Sequence, residues 1–70
     1  MGNINRTDYR ELNQILWDFH ANFIAPKLAL ELYERRWAHV DQRNLQAKEE
    51  KLIKQLITEF GNGVFMPATY

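Results

Sequence analysis

The chain is expected to fold as an all-α domain: a small three-helix bundle with antiparallel helices, short turns and a packed apolar C-terminal tail, assembled as a dimer. Three observations predict this. Tyr9, Leu12, Leu16, Phe19 and Phe23 recur at a 3-4-3-4 spacing, the seam of an amphipathic helix. Leu30, Tyr33, Trp37 and Val40 repeat the pattern, and Leu45, Leu52, Ile53, Leu56, Ile57 and Phe60 make a third apolar face. Finally, the 70 residues include no cysteine, and a lone core below roughly 70–80 residues rarely supplies more than about 3–5 kcal/mol. Disulfides and thiolate zinc sites are thereby excluded. His20 and His39 are too few for a structural metal, no cofactor is called for, and a second subunit remains as the staple.

All 70 residues are read as one helical domain. Residues 1–6 are polar and read as a loosely ordered lead-in. Thr7 or Asp8 then offers an N-cap, and Asp8 with Glu11 three residues on matches a capping box. The first helix is expected from Asp8 to Ile24, with Arg10, Asn13, Gln14 and Asp18 on its polar face. Pro26 removes an amide donor and pushes Ala25 out of the helical region, yet it suits the first turn of a new helix. It therefore separates helix one from helix two, the alternative being one long helix kinked there. The second helix is expected over Pro26–Val40, its exposed face supported by Glu31 and Arg35 at i,i+4.

Four polar residues, Asp41 to Asn44, interrupt the apolar stripe and suit a helix–helix turn. Neither Gly nor Pro enforces a break there, so a continuous second and third helix competes. The third helix is expected from Asn44 to Phe60, with Glu50 and Lys54 as another i,i+4 pair. Gly61 offers a left-handed cap and Asn62-Gly63 a reversal. The tail, residues 64–70, is apolar after a helix stop. It is expected to dock on the helices or on a neighbouring subunit, with addition to a partner sheet as the lesser reading.

Function is read mainly by exclusion. The chain has no serine and no cysteine, so the common hydroxyl and thiol nucleophiles are nearly absent. Asp18 and His20 fall on different sides of a helix, no phosphate-binding glycine loop opens a helix, and no enzyme is expected. Nine basic residues balance nine acidic ones, which argues against bulk nucleic acid or an anionic membrane as partner. No run approaches the roughly 18 apolar residues of a membrane span, and Met1 to Arg10 holds no signal-peptide core. A cytoplasmic protein is expected.

What stands out is an excess of aromatic side chains. Phe19, Phe23 and Phe60 read as core, whereas Trp17 lies off the seam and reads as an interface residue. The expectation is a non-enzymatic interaction module, a homodimeric accessory or regulatory protein that binds through Trp17, Tyr33, Trp37 and Phe65, with Arg35 and Arg36 at the rim. Another protein is the possible further partner, and a small-molecule pocket between helices one and two is the lesser use of the aromatics. The alternative is a helix-turn-helix-like nucleic-acid binder using Arg35, Arg36 and Arg43, with Arg35, His39 and Arg43 on one helix face. Its reading helix would balance three lysines against three glutamates, a poor match to phosphates.

Overall fold

The seam of residues 9–23 does not become one helix. In the computed structural model, which describes residues 1–68, the first α-helix is only six residues long, α1, Arg10–Ile15. The cause is Arg6. Its guanidinium donates to the carbonyl oxygens of Asn13 (3.1 Å), Leu16 (2.7 Å), Phe19 (2.6 Å) and Ala21 (3.3 Å), and its Nε to Asn13 Oδ1 (2.8 Å). A continuing helix would bond the Asn13 and Leu16 carbonyls to amides four residues on. Here one cation satisfies them instead, at the end of a helix where positive charge is favoured.

Ile4 to Arg6, the second half of the expected lead-in, are correspondingly held in the fold, whereas Met1 to Asn3 are exposed and form no regular structure. Ile4 and Arg6 are buried, and β1, Ile4–Asn5, pairs antiparallel with β2, Phe23–Ile24, in the register Ile4 to Ile24 and Asn5 to Phe23. The fold is thus mostly helical with a small strand pair, rather than a purely α-helical bundle. The pre-proline restriction at Ala25 favours extended chain at the entry to α2, and strand alternation turns Ile24 inward and Phe23 outward. Phe23, expected in the core, is 60% exposed.

Pro26 opens α2, Pro26–Arg35, with Ala25 extended as its N-cap, so the break falls where proline placed it. This helix stops at Arg35. A turn of 3-10 helix, Trp37–His39, follows, then a second, Gln42–Asn44. The second and third helices are therefore separate, and Arg35, His39 and Arg43 do not share a helical face. α3, Ala47–Phe60, buries Leu52, Ile53 and Leu56 against α2. Phe60, in its last turn, is also exposed rather than core. Gly61 ends α3 with φ −109°, not left-handed; the reversal uses Asn62 (φ 54°) and Gly63 (φ 78°). A Cβ on Gly61 would stand 2.7 Å from the Val64 carbonyl oxygen, which is why a side chain does not fit there.

The core gathers Leu12, Ile15, Leu16, Leu30, Tyr33 and Leu56 around one polar centre. Glu49, in the first turn of α3, is fully buried. Its carboxylate accepts the amides of Glu11 (3.1 Å) and Leu12 (2.9 Å) and the Tyr33 hydroxyl (2.6 Å). The cap expected from Asp8 is absent: Tyr9 is the N-cap residue and makes no side-chain cap. Glu11 turns instead to the Asp41 amide (2.8 Å) and pairs with Arg10 (3.3 Å).

Urea unfolding is expected to show a loss of about 3 kcal/mol or more for Glu49→Ala, which strands three buried donors. The neighbouring exposed substitution Glu50→Ala is expected to change stability by no more than about 0.5 kcal/mol.

Candidate functional site

Ending α1 at Ile15 leaves Trp17 on an exposed turn, where it is 59% exposed. Its surroundings are fixed by Arg36, the C-cap residue of α2. Arg36 Nη1 donates to the Ile15 carbonyl and to Asp18 Oδ1, both at 2.7 Å, and Nη2 donates to Asp18 Oδ2 at 2.9 Å. This two-pronged grip lays the guanidinium over the Trp17 ring, 4.2 Å from its centroid. Phe19 lies 6.0 Å from the same cation, and His39 meets Trp17 edge-on at 5.4 Å. The hydrogen bonds to Arg36 hold the Asp18 carboxyl below the usual carboxylate range, and those to Asp18 hold Arg36 further into its charged form.

The other nominated aromatics lie in a separate group. Tyr33 has no exposed surface. Burial first, and then its hydrogen bond to the Glu49 carboxylate, raise its pKa far above the ordinary tyrosine value. Trp37 contacts it edge-on at 6.4 Å and is itself capped by Phe65 at 5.0 Å. The described part of the tail is tied to α2 by Glu34, whose carboxylate accepts the Met66 amide (2.9 Å) and whose carbonyl accepts the Ala68 amide (2.7 Å). Thr69 and Tyr70, the end of the expected tail, lie outside the described residues.

The structure therefore brings Trp17 together with Arg36, and Tyr33 with Trp37 and Phe65. Arg35 lines a shallow depression of about 230 Å³ with Glu31, Glu34, Met66 and Ala68, and Arg43 is exposed on the second 3-10 turn. The sequence places Asp18 only on a polar face, because nothing in the spacing links it to an arginine 18 residues away. Among the described residues no group of three or more His, Cys, Asp or Glu side chains converges as a metal site. Among the described residues no helix is long and apolar enough to cross a membrane. The chain matches no protein-family model and shows no significant similarity to a curated protein or a solved structure.

Two pH dependences follow from these contacts. The Asp18 carboxyl has its pKa depressed in the folded state, so its pairing is in force above the ordinary carboxylate range and is lost as pH falls through its lowered folded value. In a Trp37→Phe background, Trp17 fluorescence is expected to change in that acid range and Asp18→Asn to abolish the transition. Tyr33 has the opposite sign. Its folded pKa is raised, so its contribution is complete below about 10, the unfolded value, and declines as pH rises further. Alkaline denaturation followed by tyrosinate absorbance is expected to show Tyr33 ionising only with unfolding, a contribution that Tyr33→Phe removes.

Proposed function

We propose that the protein is a small cytoplasmic interaction module without catalytic activity, an accessory or regulatory protein that works as a homodimer through the Trp17 platform. The observation that carries this reading is an exposed tryptophan held flat by an arginine that is itself pinned at three points. A large ring with fixed surroundings loses little freedom on binding, which is what makes tryptophan and arginine effective at the centre of interfaces.

Self-association is supported by two further facts. Asp18 neutralises Arg36, so two copies can bring their platforms together without opposing bare charges. The exposed large apolar residues, Trp17, Phe60, Val64 and Met66 among them, leave a small core working with less than the chain's full apolar content. The nucleic-acid reading of Arg35, Arg36 and Arg43 has less support, since Arg36 is committed to a carboxylate, a carbonyl and a ring.

Light scattering at micromolar concentration is expected to give a dimer mass, with a melting temperature that rises with concentration. Trp17→Ala is expected to weaken the dimer about 30-fold, the loss of one hot-spot residue worth about 2 kcal/mol. A monomer whose melting is independent of concentration would overturn the reading. A salt-sensitive shift of duplex DNA that Arg43→Ala abolishes would move it to nucleic-acid binding.

A further inference from the structure

A groove of about 480 Å³ runs between the N-terminal strand and α3. That size falls within the range of about 300–1,000 Å³ found for ligand sites. Residues 1–5 line it consecutively, so it follows the N-terminal segment that leads into and includes β1. Its apolar surface comes from Met1, Tyr9 and the outward-turned Phe23 with the buried Ile4 and Leu52 beneath, and its side-chain charge from Lys48 and Lys51 on α3, opposed by Asp8 alone. Lys48 lies 5.9 Å from the centre of the Tyr9 ring. Among the described residues neither lysine is in an ion pair, the two pairs present being Arg10 with Glu11 and Arg36 with Asp18. β1 has β2 on one side and, among the described residues, no other strand beside it.

From this arrangement we propose that the groove is a docking site for an extended peptide segment of another protein, one that carries acidic residues next to a bulky apolar one. The apolar residue packs against Phe23, Tyr9 and Leu52, and the acids face Lys48 and Lys51. The backbone runs alongside residues 1–5, next to β1, which among the described residues has no strand on its second side. Charge decides against the competing occupants. A second copy seated on the same groove by twofold symmetry would bring two pairs of lysines together, which like-charge repulsion opposes. A nucleic acid would meet two cations offset by an acid in a chain of zero net charge, too little to neutralise a run of phosphates. The groove shares no residue with the Trp17 platform, so the two sites stand or fall separately.

The test is selection of a displayed random-peptide library against the full chain, followed by titration of the best synthetic peptide. Selected peptides are expected to combine Asp or Glu with Leu, Ile or Phe, and to bind more weakly as salt rises. The double charge reversal Lys48→Glu/Lys51→Glu is expected to weaken binding about tenfold, and Phe23→Ala to weaken it as well. Both lysines and Phe23 are exposed, and an unchanged melting temperature checks that each variant folds. Trp17→Ala is expected to leave peptide affinity unaltered while weakening the dimer. Recovery of no binding peptide, of neutral or basic peptides, or of binding indifferent to the lysine reversal would overturn the proposal. Tighter binding of a DNA duplex or of phosphatidylserine vesicles than of any selected peptide, lost in the lysine variant, would overturn it too.

Discussion

The fold depends on the carboxylate of Glu49, a charge taken wholly out of water and surrounded by donors from two other helices. Burying a carboxylate is costly unless its oxygens are filled. Here the α1 amides and the Tyr33 hydroxyl fill them, at the positive end of a helix. The same contact caps α1 across 37 and 38 residues of chain, replacing a local cap with one that exists only when α3 is in place. Helices of this length are not stable alone in water. Arg6 holds the opposite end of α1 through the Asn13 carbonyl and that of the C-cap residue Leu16, and the chain beyond it through the Phe19 and Ala21 carbonyls. One short helix is thus clamped at its N-terminus by an acid and at its C-terminus by a base, each complementary to the helix dipole.

These clamps also set the neighbouring connections. With the α1 amides taken by Glu49, the Glu11 side chain is released to accept the Asp41 amide, and Arg10 reaches the Asn44 carbonyl at 3.0 Å. Both contacts fasten the link between α2 and α3, which contains no glycine or proline to stop a helix. No buried side-chain nitrogen or oxygen among the described residues lacks a partner. That is the condition under which a polar centre in a small core becomes specific rather than merely costly. The surface features are consequences. Because Arg6 stops α1, Trp17 lies on a turn within reach of Arg36, and the chain has room to return as β2 with Phe23 facing the groove.

The clearest parts of the fold in the sequence were those controlled by local chemistry. Pro26 marks the start of α2 because a missing amide and a fixed φ act on adjacent residues only. The stripe through Leu52, Ile53 and Leu56 marks α3 because helical periodicity over fourteen residues has few competing explanations. The same logic misled at residues 16–24. Their apolar spacing fits a helix, yet Arg6, ten residues before Leu16, withdraws the carbonyls that helix would use. Spacing alone puts Phe23 and Phe60 in the core because it records which residues are apolar but not where the core ends. At the candidate site, Trp17 stood out by leaving its stripe, whereas its pairing with Arg36 and Asp18 had no signal. Tyr33 read like an interface aromatic because residue type does not show which face of α2 meets a buried acid.

By itself the sequence determined a mostly helical chain, with breaks at Pro26 and after Phe60 and an excess of aromatic residues. Those properties come from backbone sterics and helical period, which act within a few residues. Tertiary structure alone decided that α1 is short, that the first residues form a strand, that Glu49 is buried and that Arg36 lies over Trp17. Each of these is a charged or polar group choosing a partner between 7 and 38 residues away. A sequence pattern does not encode that choice, because the partner comes within reach only after the rest of the chain has folded.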